Sequence, residues 1–278
     1  SAITSGLVSG GRSIYILGDN GNVTINSPVT TPGNMQIDAQ TNLGINSSLD
    51  VSTAVNILDF TTLGAILLFA DDGSISGDGV ISLASIDNAP NGGLRFDAGT
   101  SIKARLFLPT YSGFDLDPTA IWSGVGGQVV VDPRSGLLGP PISAQAGQDI
   151  DIQNTVFDPA ALAAQTFVVG NYGAVQGINS SGGGILLSSG RGVLVLGDQI
   201  RASGDFEARS AEATTGILIN RTSTRTGPLV VAGSQEYRGR VTLNSGGQTV
   251  LQSTTGGPVF RSTLNDGSVN TADAPPPA

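Results

Sequence analysis

Cysteine and histidine are both absent from the 278 residues of the chain. Their absence excludes a disulfide framework, a Cys/His zinc site, a thiolate nucleophile and an imidazole base. Catalytic triads built on a Ser-His or Cys-His pair are excluded for the same reason. Most covalent enzyme chemistries are therefore ruled out, and we expect no cofactor and no metal.

Charge is also scarce, because only 13% of the residues are charged and acidic residues dominate. The 13 Lys and Arg residues stand against 22 Asp and Glu, which gives a formal net charge of −9. Nucleic acids and anionic membrane surfaces both require a basic patch on their protein partner. We therefore expect no nucleic-acid partner.

Long apolar runs are missing as well. The longest is the segment 63–70, which Gly64 interrupts. It is far shorter than the roughly 20 residues that a helix needs to cross a bilayer, so we expect no membrane insertion. The chain starts at Ser1 and has a single methionine, Met35, so we expect a processed product or an excerpt of a longer protein.

Residues that favour helices are rare: the chain has one lysine, Lys103, and three glutamates. Glycine is abundant, at 40 residues, and Asn, Ser, Thr and Val are plentiful, which favours strands and turns. The hydrophobic fraction of 39% is too high for a disordered chain. The composition therefore predicts an all-β protein.

An apolar template with steps of +2, +4, +6 and +2 recurs along the chain. Its first two copies are Val23, Ile25, Val29, Met35, Ile37 and Leu43, Ile45, Leu49, Val55, Ile57. A third copy starts at Leu63, and four more start at Ile150, Tyr172, Leu194 and Ile217. Apolar residues fill 32 of the 35 positions, far above the 39% that composition alone gives, so the repeat is more than chance.

The repeat predicts a parallel β-helix. Steps of +2 place two side chains on one face of a strand, and the longer steps leave room for a corner. A coil of 20–23 residues cannot bury its apolar face alone, so neighbouring coils must stack to form a core. Asn26 and Asn46 fall in one repeat column, where their amides can form a ladder between coils; alternatively, they merely populate turns.

The template fails between residues 78 and 149, which divides the chain. We predict coils over 1–77, an irregular excursion over 78–149, coils over 150–264 and a Pro-rich tail or linker over 265–278. The excursion contains the candidate surface-contact residues Tyr111, Phe114 and Trp122. Inserted loops of solenoids often carry binding, but the alternative is that these aromatics pack against the flank of the rod.

The candidate catalytic groups are the carboxylate pairs Asp71/Asp72, Asp115/Asp117 and Asp149/Asp151, with Arg191 as a basic partner. Such pairs serve as acid and base in glycosidases, and parallel β-helices also host polysaccharide lyases. However, Asp149 and Asp151 alternate with isoleucines, as outward solvated positions do. The segment DDGSISGDG (71–79) matches no calcium-loop pattern. We therefore expect no catalytic residues.

Two segments resemble the filamentous haemagglutinin-like exoproteins of Gram-negative bacteria, which use two-partner secretion. These are GNVTINSPVTTPGNMQIDAQTNLGINSSLDV (21–51) and VVAGSQEYRGRVTLNSGGQTVLQSTTGGPVF (230–260). The resemblance implies a right-handed parallel β-helix, an extracellular or cell-surface location, a role in adhesion or biofilm, and an outer-membrane transporter as secretion partner. The Asn-Pro-Asn motifs of the family's secretion domain do not occur; the nearest string is NAPNGG (88–93).

Together these observations predict a secreted, non-enzymatic β-helical protein with a structural or adhesive role at the bacterial cell surface. Its expected partners are a glycan or host-surface receptor and further copies of itself, stacked end to end. Two alternatives stay open: a self-assembling extracellular filament subunit, and a polysaccharide lyase or glycosidase.

Overall fold

The computed structural model describes residues 2–3, 7–8, 13–52, 64–83, 92–108, 122–124, 127–129, 140–154, 166–172, 174–190, 192–212, 216–219, 227–243 and 249–265. Every regular element in these ranges is a β-strand. The predicted all-β class is confirmed.

Fourteen strands form the first parallel sheet. Ten of them stack in one continuous order: β1 (Ala2–Ile3), β4 (Val23–Ile25), β7 (Leu43–Ile45), β10 (Ile75–Ser76), β13 (Ile102–Phe107), β17 (Ile150–Asn154), β22 (Ile185–Ser188), β25 (Phe206–Arg209), β28 (Gln235–Arg238) and β31 (Val259–Phe260). The other four pair beside them: β2 (Leu7–Val8), β5 (Val29–Thr30), β8 (Leu49–Asp50) and β11 (Val80–Ser82).

A second parallel sheet also has fourteen strands. Its continuous order is β3 (Ser13–Gly18), β6 (Asn34–Ala39), β9 (Ala65–Ala70), β12 (Gly93–Ala98), β16 (Pro141–Ala146), β18 (Thr166–Val169), β23 (Val193–Leu196), β26 (Ile217–Ile219), β29 (Val241–Leu243) and β32 (Leu264–Asn265). The remaining four are β21 (Ile178–Ser180), β24 (Ile200–Ala202), β27 (Val230–Ala232) and β30 (Leu251–Ser253). The chain passes repeatedly from one sheet to the other, which confirms the predicted parallel β-helix.

The core is a set of stacked apolar rows between the two sheets. Strand residues alternate between buried and partly exposed, as in β6, because successive side chains leave opposite faces of a strand. Ile14, Met35, Ile66, Leu94 and Ile142 form one such inward row through five neighbouring strands. One apolar cluster extends in this way from Ile14 to Val241, so each coil is buried by its neighbours.

The predicted register is confirmed at some coils and wrong at others. Val23 pairs with Leu43, and Leu194 pairs with Ile217, as the template requires. The third copy is wrong, because Leu43 pairs with Ile75 rather than with Leu63. The template assumes equal coil lengths, whereas the inward apolar residues fix the pairing, and paired residues are 20 positions apart for Val23 and Leu43 but 32 for Leu43 and Ile75.

Unequal coil lengths also change the pairing at other template positions. Met35 pairs with Ile66, so it does not pair with Val55, and Ile150 pairs with Ile185, so it does not pair with Tyr172. Val55 and Ile57 lie outside the described residues.

Much of the segment 78–149 belongs to the stack, because β11, β12, β13 and β16 all pair within the two large sheets. The template misses these coils because β13 pairs with both β10 and β11, so one long strand replaces two short ones. The described departure from the stack is a small antiparallel sheet of β14 (Trp122–Gly124), β15 (Gly127–Val129), β19 (Asn171–Tyr172) and β20 (Val175–Gln176).

Polar ladders connect the corners of successive coils. Asn46 Nδ2 donates to Asn26 Oδ1 at 2.9 Å, which confirms the predicted stacking of these two side chains. A second ladder joins Asn42 Nδ2 to Asn22 Oδ1 at 3.0 Å. Such bonds satisfy polar groups where the strand ladder is interrupted.

We predict that Ile45→Asp destabilises the fold by about 3 kcal/mol or more, because it places an unpaired carboxylate in the core. Ile45 is 3% exposed and pairs with Ile25. The matched control is Thr24→Asp, which puts the same carboxylate on the outward side of the neighbouring strand. Chemical denaturation measures both variants, and equal stabilities would contradict the inward assignment.

A comparison of two glycines distinguishes the free-energy cost of backbone strain from the cost of disturbed packing between coils. Gly77 (φ 138°) and Gly21 (φ 110°) both adopt conformations that favour glycine. A Cβ on Gly77 would overlap the Ile45 carbonyl of the preceding coil, whereas a Cβ on Gly21 meets nothing within 4 Å.

We expect Gly21→Ala to cost about 1–2 kcal/mol of stability through strain alone. Gly77→Ala should cost distinctly more, because the two coils must also move apart. Thermal or denaturant unfolding of the pair tests this order. A Gly77→Ala protein as stable as Gly21→Ala would mean that the coils are not in close contact at this corner.

Candidate ligand-binding face

The outward side of β3, β6, β9 and β12 carries two parallel rows of side chains. Their pairings align Tyr15, Gln36, Leu67 and Arg95 in one row, and Leu17, Asp38, Phe69 and Asp97 in the next. We call these eight residues the outer face. Each points outward because it alternates with a buried residue of its strand.

Asp38 is the centre of a hydrogen-bonded group on this face. Its Oδ2 accepts a bond from the Tyr15 hydroxyl at 2.8 Å and another from Gln36 Nε2 at 3.1 Å. Its Oδ1 is buried and has no partner. The two bonds to Oδ2 therefore fix the carboxylate in place.

The pKa of Tyr15 is raised above its usual value. The main cause is the hydrogen bond that its hydroxyl donates to Asp38, and slight desolvation and the negative charges of Asp38 and Asp19 add to it. Tyr15 thus remains a neutral hydrogen-bond donor, and its ring is 59% exposed.

Arg95 is held by the neighbouring side chains of the outer face. Its guanidinium carbon lies 4.9 Å from the centre of the Phe69 ring, and its Nη2 donates to Asp97 Oδ2 at 2.9 Å. Cation–π and ion-pair contacts together orient the guanidinium and offset its charge. Arg95 is therefore a fixed part of the surface.

A groove with a volume of about 420 Å³ runs beside these groups, between the outer face and the adjoining corners. Its lining comprises three carboxylates, two carboxamides, one aromatic ring, one leucine and two small residues: Leu17, Gly18, Asp19, Gln36, Asp38, Ala39, Gln40, Phe69 and Asp71. The lining contains no basic residue. It combines apolar contact area with several hydrogen-bond acceptors.

The small antiparallel sheet closes one side of the outer face. Ser143, the next residue in the row after Arg95, is buried and its Oγ donates to the Tyr172 carbonyl at 3.3 Å. The Tyr172 ring occupies the space beside Gly93, where any side chain would overlap it. The outer face is therefore four strands wide, or about 14 Å at the usual strand spacing.

Of the three predicted surface-contact residues, the structure describes only Trp122. Trp122 is the first residue of β14, in the small antiparallel sheet. Tyr111 and Phe114 lie outside the described residues, so their predicted contact role stays a prediction.

Two of the three carboxylate pairs fall within the described residues. Asp71 lines the groove, and its neighbour Asp72 is exposed. Asp149 Oδ1 accepts a bond from the Gly184 amide at 2.8 Å, and Asp151 accepts one from Gln153 at 2.7 Å, so both support the fold locally. No group of three or more acidic, His or Cys side chains in the described ranges is arranged to hold a metal ion.

Sequence reasoning missed the outer face, although one signal was available. The strands SIYILG (13–18), NMQIDA (34–39) and AILLFA (65–70) each alternate, so their non-core positions define the two rows once the strands are aligned. The repeat template did not give this strand alignment, because it paired β6 with residues 55 and 57 instead of with β9.

The outward side of the first sheet carries a different surface, built from ion pairs between arginines and glutamates. Arg238 contacts Glu207 at 2.5 Å and Glu236 at 3.0 Å, and Arg209 and Arg261 bind the outer sides of the same two glutamates, at 2.7 and 2.8 Å. These exposed pairs connect three coils, and each contributes little alone. They place two glutamates among three stacked arginines.

No protein-family model, curated protein or solved structure matches the chain. The described ranges include no helix long and apolar enough to span a membrane.

We predict that Asp38→Asn lowers the pKa of Tyr15, because it removes both the charged acceptor and its field. Ultraviolet absorbance titration of the tyrosines measures this shift, and a Tyr15→Phe protein identifies which step belongs to Tyr15. A matched control is Asp97→Asn, which removes a carboxylate of the same face that lies on β12, three strands away from Tyr15. An unchanged Tyr15 titration in Asp38→Asn would contradict the hydrogen bond.

Proposed function

We propose that this protein is an extracellular, non-enzymatic β-helical scaffold that binds carbohydrate through the groove beside the outer face. The observation that carries the proposal is the make-up of that groove: the exposed Leu17 and the partly buried Phe69 lie next to carboxylates and amides, and the exposed Tyr15 lies beside them on the outer face.

The chemistry of sugars suits this lining. A pyranose ring presents C–H groups on its faces and hydroxyl groups around its edge. Leu17 (51% exposed) in the lining and Tyr15 (59% exposed) beside the groove offer apolar area for the ring faces. Asp38 and the neighbouring glutamines offer acceptors and donors for the hydroxyls.

The rigidity of the site supports recognition. The eight side chains of the outer face belong to paired strands, and Tyr15, Gln36, Arg95 and their two aspartates already hold one another. A ligand therefore binds without ordering a loop, which lowers the entropic cost of association.

The proposed location and adhesive role rest on the resemblance to filamentous haemagglutinin-like exoproteins. The same resemblance implies an outer-membrane transporter as the secretion partner. A long stack of coils suits such a role, since it displays a rigid surface away from the cell.

Two rival functions are separated by simple observations. A lyase or glycosidase would release reducing or unsaturated ends from acidic polysaccharides, whereas the proposed scaffold releases none. A filament subunit would appear as continuous fibres in negative-stain images. The exposed Val259 and Leu264 of the last described strands are the feature that favours such assembly.

We predict that the protein binds a subset of glycans on an array and that Tyr15→Ser with Leu17→Ser weakens this binding about tenfold or more. The reason is the loss of the apolar contact area at the groove, for which tenfold corresponds to about 1.4 kcal/mol. The control variant is Leu264→Ser, which removes a similarly exposed side chain (50%) from the same sheet, far from the groove.

Circular dichroism of the parent protein, the double variant and the control checks that all three keep their β-structure. Binding that is lost equally in the control, or an array on which no glycan is bound, would overturn the proposed function.

A further inference from the structure

We propose that the open edge of β3 is a self-association site, at which two copies of the chain pair head to head in an antiparallel dimer. In the part of the chain that the structure describes, β3 pairs only with β6, so its second edge is open. An open edge presents unpaired N–H and C=O groups, which readily pair with a strand of another molecule. The dimer does not depend on the carbohydrate binding proposed above.

The sequence of β3 lacks the features that protect natural edge strands. Its six residues, SIYILG (13–18), include no charged residue and no proline, and all six pair with β6 in one unbroken register. Proteins usually block such an edge with lysine, proline, a bulge or a very short strand. At the other end of the stack, β30, β31 and β32 have only three, two and two residues. Among the described strands of the two large sheets, β3 therefore has the longest open edge.

The backbone of β3 directs alternate residues to the open edge. The Gln40 amide donates to the Gly18 carbonyl at 3.2 Å, so the backbone of Gly18 faces β6. Backbone groups of successive strand residues point to opposite edges of the strand. The N–H and C=O groups of Ser13, Tyr15 and Leu17 therefore face the open edge and are available to a further strand.

These three residues can pair with their own copies about a two-fold axis at Tyr15. In this register, Tyr15 lies opposite Tyr15 of the second copy, and Ser13 lies opposite Leu17. Each such pair exchanges two hydrogen bonds, so all the open N–H and C=O groups of the three residues find partners. The inward residues of both copies stay on the core side, because paired residues point to the same face of a sheet.

The side chains and the flanks of β3 fit the antiparallel arrangement. Tyr15 and Leu17 are the two most exposed large apolar side chains among the described residues, and the dimer brings them beside those of the second copy. In the sequence, Arg12 precedes β3 and Asp19 follows it. Antiparallel pairing brings the basic end of one strand to the acidic end of the other, which favours association at both ends of the pair.

Head-to-tail stacking fits the two ends of the chain less well. At the amino-terminal end, β1 and β2 belong to the first sheet and β3 to the second. At the carboxy-terminal end, β31 belongs to the first sheet, and β30 and β32 belong to the second. The two ends therefore do not match strand for strand, whereas a two-fold pair uses one end only and closes on itself. We therefore expect a dimer instead of end-to-end stacks.

The dimer also connects the two outer faces. Paired β3 strands make one continuous sheet of eight outer-face strands, about 34 Å wide at the usual strand spacing. If each groove binds carbohydrate as proposed, the dimer is bivalent toward a surface that carries many glycans.

Sedimentation velocity of the whole 278-residue chain tests the dimer. We expect the average mass to rise from one chain toward two as the concentration rises from about 1 to 100 μM, with no larger species. Ser13→Pro removes a donor at the open edge and leaves the bonds to β6 in place, so it should weaken the association about tenfold or more. The matched control is Ser13→Thr, which keeps the N–H group, and circular dichroism checks that both variants are folded.

A disulfide across the two-fold axis tests the register, since the chain has no native cysteine. Tyr15→Cys places two thiols on residues whose Cα atoms are about 5.5 Å apart, a separation that a disulfide bridges. Mild oxidation should therefore give a covalent dimer on non-reducing electrophoresis. The matched control is Gln36→Cys, the next position in the same row. It should stay monomeric, because its two copies lie three strand spacings apart, or about 14 Å.

The possible failures are distinguishable. A mass of one chain at every concentration overturns the dimer and means that another segment of the chain covers the edge of β3. An association that Ser13→Pro does not weaken, or equal cross-linking of Tyr15→Cys and Gln36→Cys, overturns β3 as the site. Species larger than two chains overturn the closed pair in favour of stacks. The glycan array tests carbohydrate binding separately, so none of these results decides the proposed function.

Discussion

Backbone hydrogen bonding between successive coils is the interaction on which the rest of this structure depends. Each described strand of the two large sheets pairs in parallel with a strand of the next coil, often from a distant part of the chain. This pairing decides which side chains form a row. The inward rows then create one apolar core, and the outward rows create the surfaces that a ligand can meet.

The outer face follows from this pairing alone. Gln36 meets Leu67, and Asp38 meets Phe69, because β6 pairs with β9, although β7 and β8 lie between them in the chain. With a different register, the Tyr15–Asp38 and Arg95–Phe69 contacts would not form. The groove therefore depends on the register in which the coils stack. Its side chains do not form a site until the strands pair.

The fold was more predictable than the site, for a physical reason. Inward positions must be apolar in every coil, so Val23, Ile25, Leu43 and Ile45 reveal the β-helix directly in the sequence. Coil length is not constrained in this way, because a corner loop can lengthen at little cost in free energy. The constant-period template consequently lost the register after the second coil, where Leu43 pairs with Ile75.

Outward positions follow no such rule, and this is why the outer face escaped prediction. Asp38 and Phe69 are unremarkable as single residues, and they meet only through the pairing of β6 with β9. The sequence analysis instead named rarer features as candidates, such as the single tryptophan and the acidic pairs. A carboxylate such as Asp149 proved to support a corner, which is a common role for Asp near glycine.

The most direct test of this account is disulfide formation between engineered cysteines, which is clean because the chain has no native cysteine. Gln36 and Leu67 are paired neighbours on the outer face, at a strand spacing that a disulfide can bridge. Gln36→Cys with Leu67→Cys should therefore cross-link on mild oxidation, as measured by mass spectrometry of the digested protein. Gln36→Cys with Arg95→Cys, which lies in the same row but two strands away, should stay reduced. Cross-linking of the Arg95 pair and not of the Leu67 pair would contradict the register and the groove that depends on it.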